Sequence, residues 1–239
     1  MKKYVVTYIN SVYKSKKQRE SMYEINKELA EFYGILLGDG CMSKFRSQNR
    51  NKEIIRIDGH GTDDVEYYKY LQKLIEKITK REVSVGRRNN KNAIFITFSN
   101  KNFSNFLNSQ SGFPYGKKQG MTISDKFLKK ELISKVLRGL FDTDGSIYFT
   151  KNNWKREGRT YPIIELSSHN NNLLNQLLKI LKERKFNPIL SHYRDSIKLH
   201  GKTEVNKWME EIGSSNPYKK SKYEFWKKHG KYKSEPDRI

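Results

Sequence analysis

The residues best placed to do chemistry are two aspartates, each wedged between small residues at the end of an apolar run. Asp39 closes "GILLGDG" (34–40), and Asp144 closes "GLFDTDG" (139–145), 105 positions later. An acidic side chain at a helix C-terminus meets unpaired carbonyls and costs a few tenths to ~1 kcal/mol. Glycine alone would stop such a helix, so the aspartates need another use. Gly34 and Gly38 stand four apart in the first run, and Gly139 and Thr143 occupy the matching positions in the second. Small residues at that spacing let two helix backbones approach closely. Packing of these helices about a pseudo-twofold axis would bring Asp39 and Asp144 together. Two carboxylates meeting at two negative helix ends repel unless a cation sits between them. Oxygen donors suit a hard divalent ion such as Mg²⁺, and paired acidic sites with Mg²⁺ hold the attacking water and the leaving oxygen in phosphodiester cleavage. Asp142 aligns with Leu37 and so falls outside the symmetric pair.

The elements that must carry these residues are written twice. "IIRIDGHGTDDVEYY" (54–68) resembles "IIELSSHNNNLLNQL" (163–177), which matches His60 to His169. "SGFPYGKK" (111–118) answers "SSNPYKKSK" (214–222), which matches Pro114 to Pro217 in a chain holding only five prolines. Three matches in one order at a nearly constant offset indicate a duplicated unit. In the first copy, helical spacing over 24–38 is followed by the weakly alternating "IIRID" and a helical period over 63–78. "EVSVGRR" and "AIFITFS" flank the turn signal "NNKN", and a short helix runs through Phe103, Phe106 and Leu107. The second copy repeats the order, with helices at 129–142, 171–184 and 203–212, strands near 146–151 and 161–168, and a hairpin at 188–199. The expected fold is α/β (α+β), built from two αββαββα units. Its divisions are a basic arm at 1–23, a first repeat at 24–118, a linker at 119–128, a second repeat at 129–222 and a basic tail at 223–239.

Lys and Arg number 48 against 26 Asp and Glu, a net charge of +22 spread over most of the chain. So basic a folded protein is expected to bind a polyanion, nucleic acid ahead of a membrane surface. Cys41 is the only cysteine, which excludes an internal disulfide and a cysteine-built zinc site. No apolar run reaches the ~18 residues that span a bilayer, and the N-terminal "MKKYVVTYINSVYKSKK" is too broken for a signal peptide. A soluble intracellular protein is expected. The chain starts at Met and carries no flanking splicing blocks, so an intron-encoded or free-standing origin is expected in place of an intein.

The paired "GILLGDG" and "LRGLFDTDG" resemble the two motifs of LAGLIDADG homing endonucleases in their single-chain form, over about 24–222. The resemblance implies a monomer whose two antiparallel sheets form a saddle over the DNA major groove. It implies cleavage across the minor groove, leaving short 3′ overhangs. It assigns Asp39 and Asp144 to catalysis and metal binding, with Gly38 and Thr143 in the same metal-binding set. Mg²⁺ or Mn²⁺ is the implied cofactor, with Ca²⁺ supporting binding without cleavage. Leu37 departs from the family name, which has an acidic residue there. Family members also place a lysine after the closing helix of each repeat. Lys117 and Lys220 align best for that catalytic role, and Lys118 and Lys222 are neighbouring DNA contacts. His60 and His169 stand where the family can carry water-organising polar residues, although a place beside a helix N-cap, with no chemistry, explains them better.

Strand alternation selects the residues expected to face DNA. Ser146, Tyr148 and Thr150 point outward while Ile147 and Phe149 turn to the core, and Arg56 and Glu165 lie on the outer face of the second strands. Arg87, Arg88, His192, Arg194, Lys198 and His200 follow from the hairpins. Lys44 and Arg46 are placed there from a strand without a clean period. Because the two copies differ at these positions, the DNA site should be asymmetric. Two other functions fit the same fold: an intron RNA maturase, and a DNA-binding regulator that does not cut.

Overall fold

The computed structural model describes residues 23–88, 91–151, 160–193 and 195–231. Most of the expected basic arm, the last residues of the tail and the DNA-facing assignment of Arg194 lie outside these residues. Helix α1 (Lys27–Leu37) opens where the Asn26 side chain accepts the Leu29 amide at 2.9 Å, satisfying one of the free donors of a helix start. Every residue from Leu29 to Leu37 is buried, because this helix is enclosed on all sides. Strands β1 (Gly40–Ser47) and β2 (Arg50–His60) follow as a hairpin. Its two-residue turn holds Gln48 and Asn49 at φ 48° and 58°, the left-handed pair that suits the twist of paired strands. Helix α2 (Val65–Thr79), strands β3 (Val85–Arg87) and β4 (Ala93–Phe98), and helix α3 (Lys101–Ser111) complete the first repeat.

The second repeat has helix α4 (Lys130–Thr143), strands β5 (Gly145–Lys151) and β6 (Thr160–Ser167), and helix α5 (Asn171–Glu183). Strands β7 (Ile189–Leu190) and β8 (Ser196–His200) and helix α6 (Gly201–Glu211) follow. The two antiparallel sheets have equivalent strand orders, β1-β2-β4-β3 and β5-β6-β8-β7. Each buries one face, through Met42, Ile55, Ile57, Ile94 and Ile96 in the first and Ile147, Ile164, Leu166, Ile197 and Leu199 in the second.

Two segments differ from their sequence reading. Residues 223–229, assigned to a basic tail, are the second half of helix α7 (Pro217–His229). Its five lysines and histidine weaken the amphipathic signal, but Tyr223 and Trp226 are buried and the Trp226 indole donates to the Thr160 carbonyl at 2.9 Å. The segment between the repeats is packed as core instead of being a simple tether. Ile123 and Phe127 are buried, and Phe127 stacks on Tyr33 with ring centres 4.3 Å apart.

The centre of the molecule is the crossing of α1 and α4. A β-carbon on Gly139 would lie 2.1 Å from the Glu31 carbonyl oxygen, so only glycine permits this approach. Gly38 lies against Thr143 in the same seam. The spaced small residues thus serve the close packing their spacing implied. Among the described residues, no helix is long and apolar enough to cross a membrane.

Candidate active site

The seam ends at the two aspartates. Asp39 follows the C-cap Gly38 of α1, and Asp144 is itself the C-cap of α4. A β-carbon built on Gly38 would stand 3.3 Å from the Asp144 carboxyl carbon, which shows how tightly the two ends converge. Asp39 keeps solvent contact although protein surrounds much of it. Desolvation raises its pKa, and the neighbouring Asp144 raises it further. Asp144 is also raised by desolvation, with Lys118, Asp39 and Lys219 pulling it back down. Both effects penalise two bare carboxylates. No group of three or more His, Cys, Asp or Glu converges on a metal site among the described residues.

Two lysines frame the pair. Lys118 Nζ donates to the carbonyls of Leu36 and Leu37 at 3.0 and 2.7 Å and also to that of Gly38. Lys219 Nζ donates to Phe141, Thr143 and Gly145 at 2.6, 3.3 and 2.6 Å. Each ammonium therefore caps the C-terminal carbonyls of its own repeat's central helix, where a cation offsets the helix dipole. That contact also makes the aspartate tolerable at the helix end. Burial lowers both lysine pKa values, that of Lys219 to about 8, against the raising pull of nearby aspartates.

These contacts turn inward a different pair of lysines from the pair expected. Lys117 and Lys220 are exposed, while Lys118 and Lys219 are the inward pair. Sequence alignment on the two Pro-Tyr pairs failed because the chain paths differ after proline. The first turns through Gly116 at φ 87°, whereas the second enters α7 directly, with the Asn216 side chain capping Tyr218 and Lys219. Lys219 had no counterpart at its aligned position, Gly116, and only its place in a doubled lysine could have suggested it. Lys222 lies over the Tyr218 ring at 4.5 Å. Gly38 and Thr143, expected in the metal-binding set, have carbonyls that accept from the lysines, and the Thr143 hydroxyl donates back to Gly139 and Leu140 at 3.0 and 3.1 Å.

Asp142 is buried and builds the turn ahead of Lys219. It accepts the Ser215 amide at 2.7 Å and the Ser214 hydroxyl, and burial pushes its pKa up to about 6. His60 is occupied by its surroundings, with Thr62 at 3.0 Å from Nδ1 and Asn92 at 3.0 Å from Nε2. His169 is exposed and lines, with Lys118, Asp144, Ser168 and Asn170, a cleft of about 840 Å³.

The outer sheet faces hold most of the other candidates. Ser146 pairs with Glu165 and Glu165 with Lys198, so these three share a face with Tyr148, Thr150 and His200. Lys198 and Glu165 form an ion pair at 3.4 Å. On the first sheet Arg56 is clamped by Asp58 through two hydrogen bonds of 2.7 Å and lies 4.7 Å over Phe95. Arg88 reaches the same Asp58 at 3.5 Å. Three assignments fail on register. Met42 opposite Ile55 fixes the parity of β1, so Lys44 and Arg46 point to the helix side. Lys44 pairs there with buried Glu53 at 3.3 Å. Arg87, opposite core residue Ile94, also has helix-side parity. His192 sits in the exposed tip of the β7–β8 hairpin, beyond the paired strand.

A family model described as a LAGLIDADG-like domain matches residues 131–216, which include Asp144. The fold is similar to that of the I-LtrWI LAGLIDADG homing endonuclease bound to target DNA, at 11% identity and TM-score 0.57, covering 86% of this chain and 90% of that one. I-DmoI in complex with DNA and Ca is similar at 16% identity and TM-score 0.54, covering 83% and 97%. I-SmaMI bound to an uncleaved DNA target in the presence of calcium ions is similar at 8% identity and TM-score 0.55, covering 87% and 91%. No curated protein sequence matches the chain.

Proposed function

On a chain that carries a LAGLIDADG-like domain and has the LAGLIDADG homing endonuclease fold, we propose a site-specific endonuclease that cuts both strands of a long, asymmetric DNA site with a divalent metal and leaves short 3′ overhangs. The observation that carries this reading is the convergence of Asp39 and Asp144 at the end of the α1–α4 seam, framed by Lys118 and Lys219. Solved structures of the same fold are bound to DNA, and a net charge of +22 favours a polyanion partner for this chain.

The donor set fits a hard divalent cation. Asp39 and Asp144 offer only oxygen, and their mutual repulsion is relieved by positive charge between them. They would hold Mg²⁺ or Mn²⁺, which supplies charge for the scissile phosphate and an activated water. Ca²⁺ is expected to support binding without cleavage. The chain's own residues do the rest. The outer sheet faces bind the duplex, with Arg56, Arg88, Glu165 and Lys198 oriented by ion pairs toward base edges. Lys118 and Lys219, fixed by helix-end carbonyls, hold positive charge beside the aspartates, where it offsets charge building on the phosphate.

The test is cleavage of a randomised duplex library with Mg²⁺ and, separately, Ca²⁺, by wild-type protein and Asp144→Asn. Discrete double-strand cuts with Mg²⁺ alone, lost in the variant, are expected. An enriched DNA sequence that neither metal allows to be cut would overturn the nuclease assignment.

A further inference from the structure

We propose that the lysine of each repeat is positioned by the long helix of the other repeat. This inference rests on the endonuclease reading for its catalytic consequence, but its structural basis stands apart from it.

Lys118 begins the segment that leaves the first repeat, and this segment is clasped by α5 of the second. Asn170 Nδ2 donates to the Met121 carbonyl at 2.5 Å and to that of Lys118 at 3.4 Å. Asn172 Nδ2 donates to Gly120 at 3.4 Å. One turn further along, Gln176 accepts the Ile123 amide at 2.6 Å and donates to the Ile123 carbonyl at 2.9 Å, closing a two-bond clamp on a buried residue. The Asn170 amide is used completely. Its oxygen caps its own helix by accepting from Asn172 and Leu173 at 3.1 and 3.4 Å, which leaves the NH₂ directed at the lysine segment.

The mirror contact has different chemistry and the same place in the repeat. Asp64 stands at the N-cap position of α2, as Asn170 does on α5, yet its side chain makes no cap bond there. It accepts instead from Asn216 Nδ2 at 3.1 Å. Asn216 is fully buried and caps the helix turn that carries Lys219. The preceding residue is held by the first repeat as well. The Ser215 hydroxyl donates at 2.5 Å to buried Glu31, which also accepts from Tyr70 of α2 at 2.7 Å.

Each ammonium is thus bound to the helix end of its own repeat while its backbone is set by the opposite one. The two half-sites cannot be adjusted separately. A shift of α5 moves Lys118, and a shift of α2 moves Lys219.

Two variants separate this positioning from helix capping. Asn170→Ser keeps a good N-cap but is too short for Met121, and Gln176→Met keeps length without the clamp. On a duplex labelled on both strands, each is expected to lower kcat by ~10- to 100-fold, with KM unchanged, for the strand that Lys118→Met silences, and to spare the strand that Lys219→Met silences. Loss on the Lys219 strand, or equal loss on both, would overturn the proposal. Amide hydrogen exchange of the metal-free protein tests the clasp without cleavage. Exchange in 118–123 should accelerate in both variants while 214–219 stays as in wild type, and unchanged exchange in 118–123 sinks the inference. A wild type that cuts no DNA would remove the endonuclease reading and leave the exchange result to decide the clasp.

Discussion

A β-carbon added to Gly34 would sit 2.1 Å from the carbonyl oxygen of Val136, and the same relationship recurs between Gly139 and Glu31. Backbone, not a flexible side chain, blocks the space on both sides. The helices must therefore separate to admit a methyl group, and the aspartates at their ends would separate with them. Gly34→Ala is expected to cost about 3 kcal/mol or more, the upper range for overpacking. Gly112→Ala is the control, since Gly112 at φ 69° has open space around it and should cost only ~1–2 kcal/mol. Denaturant unfolding of both variants measures this, and equal costs would mean the seam is not close-packed.

The aspartates have a second consequence for stability. Both have pKa values raised by desolvation, with Asp144 adding its repulsion to Asp39, so folding favours their protonated forms. The sign follows from linkage. Stability is full below the unfolded aspartate value near pH ~4 and declines as pH rises through the raised folded values. Metal-free protein should melt lower at pH 7.5 than at pH 5.5. At pH 7.5 Asp39→Asn and Asp144→Asn should each melt higher than wild type while losing cleavage. Saturating Mg²⁺ should raise the wild-type Tm and leave the variants much less changed. A lower Tm in both variants would contradict this account.

Arg56 is preset by Asp58 through two bonds of 2.7 Å. Removing the carboxylate frees the guanidinium and deletes a negative charge from the outer sheet face proposed to meet DNA. Asp58→Ala should bind non-specific duplex more tightly and lose ~1–3 kcal/mol of discrimination at one base pair. Competition binding across all single-base variants of the site reads both effects. Undiminished discrimination at every position would show that Arg56 does not read a base in this orientation.

Trp226 ties α7 to the second sheet. Its ring lies 6.1 Å from that of Phe149, and its indole donates to Thr160 at 2.9 Å. Trp226→Ala should cost about 3–5 kcal/mol, as for other buried tryptophans, because it leaves a cavity against Phe149 and removes the hydrogen bond to Thr160. A thermal melt within a degree of wild type would make the helix an appendage.

Much of this arrangement was legible along the chain. The duplicated aspartates follow from the internal repeat, and the spaced small residues of the seam and the outward run Ser146, Tyr148, Thr150 from short-range periodicity. The α7 start was also present, as Asn216 and Pro217, with Gly230 at its end. Its many lysines concealed the two buried aromatics. Lys44, Arg46 and Arg87 went to the wrong face because face is set by the partner strand, through Met42 opposite Ile55 and Arg87 opposite Ile94.

The sequence by itself determined that two acidic helix ends would meet, because small residues four apart on two like helices admit one close packing. Only the tertiary structure decided which cations stand beside them. A lysine reaches a site through the path of its backbone, and that path is set by contacts from the opposite repeat: Asn170 and Gln176 for Lys118, and Asp64 and Glu31 for Lys219. Those partners lie far away along the chain, where no local spacing can reveal them.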